Sequence, residues 1–459
     1  MEKQAVNKYL ILGLLIANSS PLRSQSAIEN RDRNVLFIVV DDLNTTLGCY
    51  GHPVVKTPNI DRLAGMGVKF NHAYCNYAVC NPSRSSFLTG LKPETTTILD
   101  NVKTLQSVLG DRITLPALFR QNGFYTMSLG KVFHGKNEVI DPKAWDEIYM
   151  YDATELGKKG ERRNMTDGAL KWCEWMATEG DDQDQQDGQN AKKAVEFIST
   201  KREKPFFLAV GFHKPHDPFY APRKYFDMYP LDICNPPILP EGWKPPFTHT
   251  LPGMTSVFNK FTDKDKREFL RSYYACTSFM DAQVGKLMKA LEETGQLDNT
   301  LIILFGDHGY HLGEHNWWNK VTIFEKGTNA PFIMAGQSVG IKGVKSDAMF
   351  EYIDIYPTLA ELFQLKKTPE YLEGKSFASV VNDPSKSFRS EVRAIIGRGD
   401  MLGRTVKNMN WRYIEWDNGK MGRELYDEIK DPIEYNNLAE NPDYKEVISE
   451  MRTLLYKSE

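Results

Sequence analysis

The chain has 459 residues, too many for one small core and enough for two domains or one large α/β domain with an appendage. At 41% hydrophobic and 25% charged residues, with 33 Gly and 24 Pro, its composition excludes a disordered chain, a collagen and a multi-span membrane protein. A formal net charge of −3 gives no basic footprint for nucleic acid, although a local Lys/Arg cluster for an anionic ligand would not register in that sum.

Lys3 and Lys8 precede the apolar run Tyr9–Ala17, and Ser24 and Ser26 suit cleavage before Ala27. Residues 1–26 therefore read as a signal peptide, because the run is short for a membrane span. The mature chain is expected in a periplasm or outside the cell, with no stable membrane insertion. Asn34–Val40 is an unbroken, β-branched apolar run ending in Asp41-Asp42, the pattern of a central parallel strand buried on both faces. Runs at Tyr125–Leu129, Pro205–Val210 and Thr300–Phe305 predict three more such strands. Between them, Glu179–Asn190 reads as a solvated loop, and Ala191, Ala194, Val195 and Ile198 share one helical face. A long helix is predicted from Thr262, where Asp265 supplies a capping-box-like start, to about Gly295. Phe269, Leu270, Tyr273, Met280, Val284, Leu287 and Leu291 lie on its broad apolar face.

The texture changes after about Leu365. Trp411–Trp416 followed by Asp417-Asn-Gly419 predicts a strand entering a hairpin, and Asp443–Lys457 a final amphipathic helix. The expected fold is α/β, a large mixed and mostly parallel sheet flanked by helices over 27–365, with a smaller α+β subdomain over 366–459. Cysteines at 49, 75, 80, 173, 234 and 276 show no C-x-x-C zinc spacing and are too few for a disulfide scaffold in a chain of this length.

Sites in such sheets lie beyond the carboxyl ends of the strands. The four predicted strand ends carry Asp41-Asp42, Lys131 with His134, His213-Lys-Pro-His216, and Asp307-His308. Singly these are bland, since Asp is a common turn residue. Together, three acids and a histidine at one edge would need a cation to neutralise them. Oxygen-rich ligation favours calcium or magnesium, with the His308 nitrogen less suited to calcium. Lys131, His134, His216 and Lys320 around such an ion would make an anion-binding cradle with proton-transfer groups.

The segment Cys80-Asn-Pro-Ser-Arg-Ser-Ser-Phe-Leu-Thr-Gly90 matches the signature C-x-P-S-R-x-x-x-L-T-G at every specified position. On that motif the chain resembles the sulfatase family. Gly123–His134 is similar to a second signature of the family, and Glu424–Asp427, Asp431–Glu434 and Asn437-Leu438 resemble its usual ending. The resemblance covers essentially the whole mature chain. It implies that a maturing enzyme oxidises Cys80 to formylglycine, whose aldehyde hydrates to a gem-diol. Val40–Leu43, Leu47–Gly51, Pro58–Asp61, Gly130–His134, His213–His216 and Gly313–His315 look like the iduronate-2-sulfatase branch. Carried over by motif, Asp41, Asp42, Asp307, His308 and the modified Cys80 would bind calcium, with magnesium less suited. His308 departs from the Asn of many sulfatases and agrees with that branch.

Arg84 and Lys131 would hold and polarise the diol with His134 assisting, and His216 and Lys320 would contact the sulfate and the leaving oxygen. One diol oxygen would attack sulfur while His216 protonates the departing alcohol. Deprotonation of the other hydroxyl would then release sulfate by C–O cleavage and restore the aldehyde. His213 reads as a substrate-binding or merely structural residue, and Lys214 as a weaker candidate of the same kind. Lys131, Lys214 and Lys320 supply more cations than one sulfate needs, and a uronate carboxylate would give the extra cation a partner. The expected substrate is accordingly the 2-O-sulfate of a terminal uronate in glycosaminoglycan oligosaccharides. Another sulfated polysaccharide, a phosphodiester or phosphonate ester, and a non-catalytic glycan-binding role are the alternatives.

Overall fold

The computed structural model describes residues 33–135 and 141–457, so the predicted signal peptide lies outside the described residues. In chain order the first strands are β1 Asn34–Val40, β2 Gly67–Tyr74, β3 Tyr125–Gly130, β4 Glu147–Tyr149, β5 Gly160–Asn164 and β6 Glu174–Thr178. They are followed by β7 Phe206–Phe212, β8 Phe219–Pro222, β9 Thr300–Gly306, β10 Phe332–Gly336 and β11 Val344–Glu351. The C-terminal part adds β12 Val392–Arg398, β13 Met401–Lys407, β14 Trp411–Trp416 and β15 Arg423–Asp427.

Eight strands form the central sheet in the order β11-β2-β10-β9-β1-β7-β3-β4. The four strands predicted from apolar runs are its contiguous middle, β9-β1-β7-β3, all parallel. β10 enters antiparallel to both β9 and β2, which makes the sheet mixed. β1 explains why no alternation is visible in its sequence. Val35, Phe37 and Val39 face a core with Phe87, Leu88 and Leu118, whereas Leu36, Ile38 and Val40 face another with Leu63, Val284 and Leu287. Each such side chain, fully buried, contributes roughly 1.5–3 kcal/mol, so both faces demand an apolar residue at every position.

The long helix runs Asp263–Glu293, with the capping box between Thr262 and Asp265 that its sequence implies. The predicted loop at Glu179–Asn190 is a correction. It contains a 3-10 turn at Asp182–Asp184 and the first turns of the helix Gln186–Ser199, and Asp182, Gln185, Asp187 and Asn190 are buried. The polar residues find protein partners here: Asp181 and Asp184 make a reciprocal cap, Asp182 bonds Tyr225, Gln283 and Lys286, and Asp187 accepts from the N–H groups that follow β7.

β12–β15 form an antiparallel sheet covered by the helix Lys445–Tyr456 through Val406, Tyr413, Leu425, Met451 and Leu455. The backbone of Ile395 donates to Asn76 O at 3.0 Å, which docks this sheet beside the segment leading to Cys80. Phe377, Val380 and Val381 pack with Phe70, Phe332 and Phe350 under the central sheet. Among the described residues no helix is long and apolar enough to cross a membrane, and all six cysteines are unpaired.

Candidate active site

β1 runs directly into Asp41 and Asp42, and Asp42 adopts φ 61°, a left-handed conformation that Asp tolerates better than most residues. Lys131 and His134 follow β3, His213 and His216 follow β7, and Asp307 and His308 follow β9. Cys80 is the first residue of the helix Cys80–Thr89, at the positive end of its dipole, and Arg84 lies one turn on. Gly90 closes this helix at φ 68°, where a Cβ would meet Leu372 at 2.8 Å, so the motif's final glycine answers both conformation and space.

Cys80 Sγ lies 3.1 Å from Lys320 Nζ, 3.3 Å from Asp41 Oδ1, 3.5 Å from His308 Nε2 and 3.8 Å from Lys131 Nζ. Burial and the charge of Asp41 push its pKa up, so the unmodified side chain is a neutral thiol. Arg84, itself buried, donates from Nε to Asp307 at 2.9 Å and from Nη2 to Asp41 at 3.2 Å. Its Nη1 donates to the carbonyls of Lys131 and Val132. Lys131 donates to Asp41 and Lys320 to Asp42. Burial opposes the charged form of Asp41, but Lys131 and the other cations hold its carboxyl well below the usual range. Asp42 is pushed up by burial, with Lys320 opposing. Breaking a buried charge pair of this kind costs roughly 3–5 kcal/mol, because it strands the remaining partner.

Three carboxylates thus face three cations. A divalent ion would leave the pocket with a surplus of positive charge, which suits an anionic ester. Asp41, Cys80, Asp307 and His308 offer ligand atoms within 4.8 Å of one another, and Asp41, Asp42, Cys80 and His216 form an overlapping set. Two further observations fit a bound cation. The buried Asp42 Oδ2 has no hydrogen-bond donor. His308 Nδ1 donates to Gly309 O at 2.9 Å, which turns Nε2 toward Asp42 at 3.4 Å and Asp307 at 3.6 Å.

The remaining histidines border the acids. His216 Nε2 lies 3.9 Å from Asp41 and 3.8 Å from Asp42, and His213 Nδ1 lies 3.8 Å from Asp41. Burial, then the neighbouring ammoniums of Lys214 and Lys320 respectively, hold His213 and His216 well below their ordinary pKa. Burial and Lys131 lower His134 to about 4, and its Nδ1 has no partner. All three imidazoles are therefore neutral before an anion arrives.

Lys214 is not brought to this group. It is buried, and its Nζ donates to the carbonyls of His216 at 2.9 Å and Pro218 at 2.6 Å, holding the shape of its own loop.

Three supporting residues escape sequence reasoning. Asp187 accepts the backbone N–H of His213 at 2.9 Å and of Lys214 at 2.8 Å, fixing the β7 end, and its disguise was a polar stretch that reads as solvated. Asp217 is buried with Oδ1 3.6 Å from His216 Nδ1, and burial and Asp42 push it up to about 7. Its place between Pro215 and Pro218 at a strand end was the available signal. Tyr273, counted on an apolar helix face, donates its hydroxyl to Asp42 O at 2.7 Å.

Asp187 gives a pH test of this support. Burial raises its folded pKa to about 6, from the 3.8 of an ordinary aspartate. The folded state then binds the extra proton between those values, so the group's contribution is complete below the unfolded pKa and lost as pH rises through about 6. Asn does not titrate. The thermal stability of the wild type relative to Asp187→Asn is thus expected to fall between pH 4 and pH 7 in paired melting curves. A difference that is constant or grows would reject this account.

The family model described as Sulfatase matches residues 33–365, and one described as N-sulphoglucosamine sulphohydrolase, C-terminal, matches 313–459. The chain is 34% identical to a protein named sulfatase from Formosa agariphila, over 98% of this chain and 92% of that protein. It is 33% identical to iduronate 2-sulfatase of Homo sapiens, over 72% of this chain and 64% of that one. A solved structure in complex with its substrate, D-glucosamine-2-N,6-O-disulfate, has the same fold with a TM-score of 0.76 at 22% identity, covering 93% of this chain and 97% of its own. The chain belongs to the sulfatase family. It is a sulfuric ester hydrolase.

Proposed function

We propose that this enzyme removes the 2-O-sulfate of a terminal uronate from short heparan- or dermatan-type oligosaccharides, acting from the chain end. The observation that carries a hydrolytic reading is the crowding of Lys320, Lys131, Asp41 and His308 around Cys80 Sγ, all within 3.1–3.8 Å. The uronate reading rests on the likeness to iduronate 2-sulfatase. Cys80, converted to formylglycine by a maturing enzyme, would supply a hydrated aldehyde as the nucleophile in place of a thiol. Asp41, Asp42, Asp307 and His308, with the modified Cys80, would hold a calcium ion, which would neutralise the sulfate and the attacking oxygen as a Lewis acid.

The chain's own residues then divide the work. Arg84 keeps Asp41 and Asp307 in place. Lys131 and Lys320 place ammonium groups beside the reacting atom, where they would bind sulfate oxygens. His216 is neutral in the free site, and the negative charge of a bound ester would raise its proton affinity and ready it as the general acid toward the leaving oxygen. His134 Nδ1, buried and without a hydrogen-bond partner, would assist Arg84 and Lys131 in holding the diol. Residues 27–365 would form the catalytic unit and 366–459 a C-terminal unit, and export would follow removal of residues 1–26.

A screen of position-defined sulfated disaccharides, with aryl phosphates and phosphonates alongside, tests the reading. The 2-O-sulfated uronate is expected to give the highest kcat/KM. Preference for 6-O- or 4-O-sulfated hexosamines, or for the phosphorus esters, would overturn it.

A further inference from the structure

Two of the lysines that could have read a uronate carboxylate are already committed. Lys214 is turned onto backbone carbonyls, and Lys320 lies on Cys80 and Asp42, at the sulfate end. A second anion needs a further cation, and β12 ends on one. Arg398 packs over Trp416 at 5.6 Å and donates to the carbonyls of His249 at 3.1 Å, Gly397 at 3.0 Å, Thr250 at 3.4 Å and Val321 at 2.6 Å. Every one of these acceptors is neutral. Glu424, the acid whose field reaches Arg398, is spent on Thr250, Trp416 and Tyr426. Burial lowers the guanidinium to about 10, the sign of a cation that lacks a close counter-charge.

Its position ties it to the catalytic group through both of that group's neighbours. Val321, whose carbonyl it holds, follows Lys320 and donates its own N–H to Ala78 O at 3.1 Å. Gly397 donates to the hydroxyl of Tyr77 at 2.8 Å, three residues before Cys80. Arg398 is therefore fixed beside the two segments that present Lys320 and Cys80, with one Nη1 hydrogen uncommitted among the described residues.

We propose that Arg398 is a specificity-determining residue whose guanidinium binds the carboxylate of an acidic sugar while Lys320 and Lys131 bind its sulfate. This rests on the uronate reading above and assigns that reading its second anion site. A guanidinium held in place by four carbonyls offers a carboxylate one pre-positioned, charge-assisted N–H, which a mobile lysine would not.

The test measures binding on a Cys80→Ala background, where the ligand is not consumed. The probes are a 2-O-sulfated uronate disaccharide and its carboxyl methyl ester, titrated calorimetrically. The acid is expected to bind about tenfold or more tightly than the ester, a difference equivalent to about 1.4 kcal/mol. Arg398→Gln should reduce that preference to about twofold or less, and Arg398→Lys should keep part of it, with melting curves confirming folded protein. Equal binding of acid and ester by the Cys80→Ala protein overturns the Arg398 assignment while leaving the uronate reading standing. An undiminished preference in folded Arg398→Gln overturns it as well. Failure of both probes to bind overturns the uronate reading itself and the assignment with it. Should Arg398→Gln not fold, the acid–ester comparison and Arg398→Lys decide the matter.

Discussion

Replacing Cys80 with alanine is expected to lower turnover by a factor on the order of 10⁴–10⁶ without unfolding the protein. The side chain is fully buried but small, so the substitution removes a sulfur and its contacts at a cost of about 1 kcal/mol. Chemically it removes the atom toward which the whole pocket is organised. An unmodified cysteine would not explain that organisation. Only the thiolate is nucleophilic, and burial with Asp41 alongside pushes this thiol's pKa up, not down. A reactive cysteine would need the opposite shift. The geometry instead suits a group that enters the site neutral and is deprotonated there, as a hydrated aldehyde would be. Peptide mass spectrometry of active enzyme from a host that matures it is therefore expected to find formylglycine at position 80. Active enzyme carrying only the free thiol would refute the proposal, as would turnover surviving in Cys80→Ala.

Much of this site was legible because a parallel sheet concentrates information. Strands buried on both faces appear as apolar runs, and the polar residues after each run must share one edge. Asp41, Lys131, His216 and Asp307 could therefore be grouped from four separate places in the chain before their strands were known to be adjacent. Strand order was not legible in the same way. Nothing in Phe332–Gly336 says that it enters antiparallel between β9 and β2, because a short buried strand looks the same in either direction. Side-chain direction also escaped. Lys214 and Lys320 are both lysines near a strand end or loop, yet one turns back onto two carbonyls and the other reaches Asp42. That choice is made by tertiary acceptors, which leave no periodic trace. Arg398 lies in the C-terminal sheet, outside every motif the sequence offers, and the docking of β12 against Asn76 and Tyr77 brings that strand beside the segment leading to Cys80.

Chelation is the second perturbation expected to have a large effect: a metal-stripped enzyme should lose nearly all activity and melt at a lower temperature, and calcium should restore both. The thermal part follows from linkage. An ion that binds only the folded state adds about 2.7 kcal/mol of stability when its free concentration is a hundred times its Kd. The sign depends on the charge balance of the pocket. Asp41, Asp42 and Asp307 are already opposed by Arg84, Lys131 and Lys320, so the stripped protein is not left with three naked buried carboxylates and should stay folded. The ion's own share would be carried by what the cations leave unmet, the donorless Asp42 Oδ2 and the His308 Nε2 that faces Asp42 and Asp307. Asp42→Asn should therefore weaken the calcium-dependent rise in melting temperature, whereas Asp187→Asn, which touches the backbone of His213 and Lys214 and none of the proposed ligands, should retain it. Calcium is expected over zinc because carboxylate oxygens dominate the set. Metal analysis that finds no stoichiometric divalent ion in active enzyme would reject this centre. So would a melting temperature that ignores both chelator and calcium, because an ion held by those ligands must couple to folding.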